Sequence, residues 1–139
     1  MKGKIYTLSE NTDFKLIALV SHLNDYKISW LFNEQLNCKF SQADDLIITD
    51  EKNLTTSKFS VFTYEDNSDS VYTLYSNHYT NDTILKSIKK VDFILKYSGI
   101  MSDSQIEELI DKIKGLKNII TAFQIDMNTL KPKELELFI

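Results

Sequence analysis

The stretch FSVFTYEDNSDSVYTLYSNHY, residues 59–79, constrains the fold more than any other. Aromatic and β-branched residues, which suit a pleated and half-buried surface, flank EDNSDS, a cluster of the Asp, Asn and Ser that turns favour. The pattern predicts a β-hairpin. A lone hairpin is marginal in water, so the remaining chain must supply more strands and a layer that covers them.

Further strands are legible. FKLIALVS (14–21) is apolar on both alternating faces, with Phe14, Leu16, Ala18 and Val20 on one and Ile17 and Leu19 on the other. That is the pattern of a central strand covered on part of both sides. In KKVDFILKY (89–97), Val91, Phe93, Leu95 and Tyr97 share one face while Asp92, Ile94 and Lys96 share the other. Asp92 then reads as the outward half of a strand, weakly paired with Lys96, rather than as a buried catalytic acid. KIYTL (4–8), DLIIT (45–49) and NIITAFQID (118–126) read as strands, DEKNLTTSK as a polar loop, LKPKE (130–134) as a turn or short helix, and LELFI as a last strand.

Two segments carry helical spacing. NDYKISWLFNEQLN offers Asn24 or Asp25 as N-cap and places Ile28, Leu31, Phe32 and Leu36 on one stripe. SDSQIEELIDKIKGLK offers Ser102 or Asp103 as cap, with Ser104 and Glu107 at capping-box spacing and Ile106, Leu109, Ile110 and Ile113 as the stripe. Gly115 is the expected left-handed stop. The order of strand, helix, several strands, helix and strand implies one α+β domain over residues 1–139. Its expected form is two layers, a mostly antiparallel sheet with helices packed on one face, and the ferredoxin-like split arrangement with an added hairpin is one candidate. With 42% apolar residues, three glycines and one proline, the composition is that of an ordered chain.

The same composition narrows function. The net charge is −4, and all sixteen bases are lysine. Without arginine the chain lacks the planar fork that reads phosphates and guanine edges, so nucleic acid is an unfavoured partner. Cys38 stands alone, which excludes an intramolecular disulfide and a cysteine-based zinc cluster. As a nucleophile it would need an activating base at a recognisable spacing; a partly buried thiol at a helix exit is the simpler reading. His22 and His78, the two histidines, show no ligand spacing, and no GxSxG or phosphate-cradling glycine loop occurs. The acidic run YEDNSDS lacks the central glycine and terminal glutamate of a calcium loop. The N-terminus MKGKIYTLSE has no signal-peptide run, so a cytoplasmic protein is expected, without cofactor, metal or membrane anchor.

Four segments, DYKISWLFNEQLN, FSVFTYEDNSDSVYTLYSN, KKVDFILKYSG and IITAFQIDMNTLKPKELELF, resemble in order and character the IPExxVDY family of small Bacteroidota proteins. Val91 and Asp92 match the V and D of the motif, Phe93 stands for its tyrosine, and Lys86, Ser87 and Ile88 replace its first three residues. The resemblance implies no catalytic or binding residue. The expected function is a non-catalytic, cytoplasmic protein–protein interaction module, partnered by another protein or by itself, through a surface of Tyr64, Tyr72, Tyr75 and Tyr79. The alternative is a small-ligand-binding regulatory domain; an RNA-associated accessory protein ranks behind both.

Overall fold

A computed structural model of the chain describes residues 14–66 and 70–139. The strand expected at KIYTL and the centre of the turn expected at EDNSDS lie outside the described residues. The elements run β1 (Phe14–Ser21), α1 (Asp25–Gln35), β2 (Ser41–Gln42), β3 (Leu46–Asp50), β4 (Thr55–Phe59), β5 (Val61–Glu65), β6 (Val71–Ser76), β7 (His78–Tyr79) and β8 (Asp82–Thr83). A 3₁₀ turn at Lys86–Ile88 leads to β9 (Phe93–Ser98), α2 (Asp103–Lys114) and β10 (Ile119–Gln124), and a second at Met127–Thr129 leads to α3 (Pro132–Glu136).

The fold is α+β. Six strands form one antiparallel sheet in the order β10-β1-β9-β6-β5-β2, and β3–β4 and β7–β8 are separate hairpins. Central β9 pairs Leu95 with Ile17 of β1 on one side and with Leu74 of β6 on the other. Every ladder described in this sheet is antiparallel.

Period-two alternation sorts the core into two halves. Ile17, Leu19, Leu74, Phe93 and Leu95 face α1 and α2, meeting Ile28, Phe32 and Ile113. Leu16, Ala18, Val61, Tyr75 and Ile94 face the opposite way and meet Leu85, Leu130, Leu135 and Phe138. The two long helices thus share one face as expected, but α3 and the chain end cover the other. This corrects the half-exposed reading of residues 91–97. Ile94 is fully buried, and Lys96 lies half-buried with its Nζ donating to the Phe138 carbonyl and 5.0 Å from the centre of the Phe14 ring. Burial lowers the Lys96 pKa.

Local chemistry fixes the ends. Asn24 caps α1 by accepting from the Lys27 amide. Ser102 caps α2 in a reciprocal box with Gln105, two residues earlier than the Ser104–Glu107 pair. Gly115 is right-handed, and the left-handed residue comes at Asn118 instead. LELFI is not a strand: Pro132 opens α3, and Glu134 accepts from both the Lys131 and Lys86 amides. No helix among the described residues is long and apolar enough to cross a membrane.

Candidate functional site

Strand pairing distributes the four predicted tyrosines over both faces. Tyr75 points away from α1 and α2 and is buried edge-on against Phe138, ring centroids 5.1 Å apart. Tyr79 packs on Phe59 at 6.2 Å, on the same side. Tyr64 and Tyr72 lie opposite each other on β5 and β6, on the helix face, and their rings stack at 5.5 Å with 17° between planes. Tyr72 continues to Tyr97 at 5.0 Å, and Tyr64 to Phe40 at 5.7 Å. An aromatic row therefore crosses three strands.

That row floors a groove with two lobes. One, of about 570 Å³, lies between the stacked tyrosines and the C-terminal ends of α1 and α2, with Gln35, Asn37, Asp111 and Lys112 at its rim. The other, of about 530 Å³, extends past Tyr97 towards Gly99 and Gln105. Tyr72 and Asp66 line both. Burial, with the Asp66 charge second, pushes the Tyr72 hydroxyl up to about 12, so the floor is neutral at physiological pH. Cys38 lines the first lobe half-buried just beyond α1, as its place in the sequence suggests. Burial raises its thiol to about 11, which leaves it protonated and poorly nucleophilic. Ser70 and the Tyr97 hydroxyl, 2.7 Å apart, close the second lobe.

The structure also assembles what the sequence keeps apart. His22, His78 and Asp92 line one shallow cleft of about 440 Å³ at the start of α1. Asp92 is not paired with Lys96: one carboxylate oxygen accepts from the Ser21 amide at 2.9 Å, and the other lies 3.6 Å from His78 Nε2. A His–Asp pair can do acid–base work only beside a reacting group. Here Ser21 Oγ donates to the Asn118 carbonyl and accepts from the Leu23 amide, and Ser76 Oγ donates to the His78 carbonyl. Both nearby hydroxyls are committed to backbone. Among the described residues no group of three His, Cys, Asp or Glu side chains could hold a metal ion.

Sequence reasoning missed the most exposed aromatics. Tyr26 and Trp30 stand one turn apart on the outer side of α1, 63% and 61% exposed, with the Tyr26 ring edge-on to Phe62 at 6.1 Å. The signal was available: both fall off the Ile28–Leu31–Phe32 stripe, so burial did not require them. No protein-family model, curated protein or solved structure matches the chain.

Proposed function

We propose that this protein is a non-catalytic, cytoplasmic binding module that recognises another protein through the outer side of α1 and the adjoining tyrosine groove. The observation that carries the reading is the exposed Tyr26–Trp30 pair. Tryptophan and tyrosine supply large, rigid contact area and dominate interface energetics, whereas a largely exposed pair at i, i+4 adds little to its own helix. α1 also presents its C-terminal residues, Gln35 among them, to the groove. The order of the four motif-bearing segments supports placing the chain with the IPExxVDY family. In that light the motif region is scaffold: Val91 is buried, and the Asp92 amide donates to the Leu19 carbonyl.

The groove favours a second reading, a small-ligand regulatory domain, because its volume and mixed lining suit a small molecule. Affinity capture of the tagged chain, with sizing and mass spectrometry, separates them. Trp30→Ala and Tyr26→Ala should keep the circular dichroism of the wild type and lose one stoichiometric partner. Recovery of the chain alone from wild type and variants alike would refute the module reading. A self-assembly broken by Trp30→Ala would replace the foreign partner with a second copy.

A further inference from the structure

Both helices that cover the sheet end at the same place. Gln35 to Cys38 close α1, Asp111 to Leu116 close α2, and both ends line the lobe floored by Tyr64 and Tyr72. A helix C-terminus carries about half a negative charge; the last turn of α1 contains no basic residue to offset it, whereas that of α2 carries Lys112 and Lys114. Asp66 and Asp111 add two formal negative charges to the lining, against one lysine, Lys112. The floor contains the stacked tyrosine pair, and the π system of a tyrosine ring attracts cations. The α1 end, the two carboxylates and the aromatic floor therefore favour the same sign of charge in one concavity. A metal ion is a poor match, since no three ligating side chains converge among the described residues.

We propose that this groove binds an organic cation, the ammonium or guanidinium group of a lysine or arginine side chain that the partner protein presents. The inference deepens the binding-module reading and rests on it for the source of the cation. The planar guanidinium stacks on a tyrosine face while its N–H groups reach a carboxylate, so arginine is the better of the two. The chain itself contains no arginine that could occupy the site in its place.

The test titrates the full chain with N-acetyl-arginine methylamide and N-acetyl-lysine methylamide, and follows the ring resonances of Tyr64 and Tyr72 by NMR. N-acetyl-norleucine methylamide is the neutral control and spermidine the free-polyamine control. Ligands of this size are expected to bind in the millimolar range. Saturable shifts from the two cations, absent with norleucine and weakened by salt, support the site. Replacing Tyr72 with leucine should weaken binding by about 3- to 30-fold. Should that variant unfold, the exposed pair Asp111 and Lys112 still decides the matter: Asp111→Asn should weaken binding and Lys112→Gln should tighten it. No saturable shift by about 50 mM, an equal response to norleucine, or weaker binding in Lys112→Gln would overturn the proposal. Binding of spermidine with the amino-acid derivatives silent would overturn the partner side chain as source. If the derivatives bind while Trp30→Ala leaves partner capture unchanged, the cation site stands and the role assigned to the α1 aromatics fails.

Discussion

Replacing Asn77 with aspartate exchanges one NH₂ group for an oxygen at the most deeply buried polar side chain among the described residues. Asn77 is fully buried; its Nδ2 donates to the Val91 carbonyl at 2.8 Å, and its Oδ1 accepts from the Leu85 amide at 2.9 Å. Its backbone bonds to the Asp92 carbonyl and the Ile84 amide, so one residue ties β6 to both the 84–91 segment and the entry of β9. An aspartate would keep the Leu85 contact but set an anionic oxygen against the Val91 carbonyl. An uncompensated buried charge costs about 3–5 kcal/mol, a large share of the ~5–15 kcal/mol that stabilises an ordinary domain. When protonated, the carboxyl can donate to Val91 and resemble the amide. Its folded-state pKa is therefore raised above the unfolded one. The variant's stability is fully present below the unfolded carboxyl pKa and is lost as pH rises through the folded value. Urea unfolding followed by far-UV circular dichroism at pH 4 and pH 7 measures this; Trp30, already exposed, is a poor probe. With a denaturant slope of about 2 kcal/mol/M, the Asn77→Asp midpoint should fall about 1.5–2.5 M below wild type at pH 7 and recover much of that gap at pH 4. A gap under about 0.5 kcal/mol at pH 7, or an equal gap at both pH values, would refute the reasoning.

Gly99 has φ +145°, and a Cβ there would stand 2.8 Å from Ser70 Oγ and 2.9 Å from the Tyr97 hydroxyl oxygen. Gly99→Ala should therefore cost about 1–3 kcal/mol in thermal unfolding. Tyr97→Phe removes one of the clashing atoms, so a double mutant showing full additivity would count against the steric account. Cys38, raised to about 11, has a thiolate fraction at pH 8 roughly 100-fold below that of an ordinary thiol. The greater basicity of that thiolate offsets part of the deficit, leaving iodoacetamide alkylation about tenfold slow. Its pH–rate profile should still rise well beyond pH 9, and a midpoint near 8.5 would show that burial does not control the thiol.

What was legible in the sequence is what short-range periodicity encodes. The β5–β6 hairpin, β1, and the apolar stripes of both long helices follow from side chains that alternate or recur over one segment. β4 was hidden because TTSKF is polar, with only Ser57 and Phe59 facing inward; the strand exists by pairing with β3 rather than by propensity. The polar-looking face of β9 was hidden for a non-local reason. Lys96 is covered by Phe138, more than forty residues later, and the aliphatic stem of a lysine tolerates such cover while its ammonium finds a carbonyl. The grouping of His22, His78 and Asp92 depends on strand order, which no spacing between the three residues reveals.

The two ends of α1 differ in a way that can be tested by filling one of them. At the N-terminus the chain satisfies its own helix: the Asn24 side chain accepts from the Lys27 amide and Asp25 from the Tyr26 amide. At the C-terminus no basic residue stands in the last turn, and Gln35 opens onto the groove. Gln35→Lys should act with opposite signs in two assays. A lysine in the last turn complements the helix dipole and should stabilise the fold by about 0.3–1 kcal/mol at low salt. The same ammonium would occupy, or electrostatically close, the concavity assigned to a partner's cation, so N-acetyl-arginine methylamide should bind several-fold more weakly. A residue omitted only by chance would give the first effect without the second. A drop in stability would show that the end of α1 does not carry the negative potential on which the cation site depends.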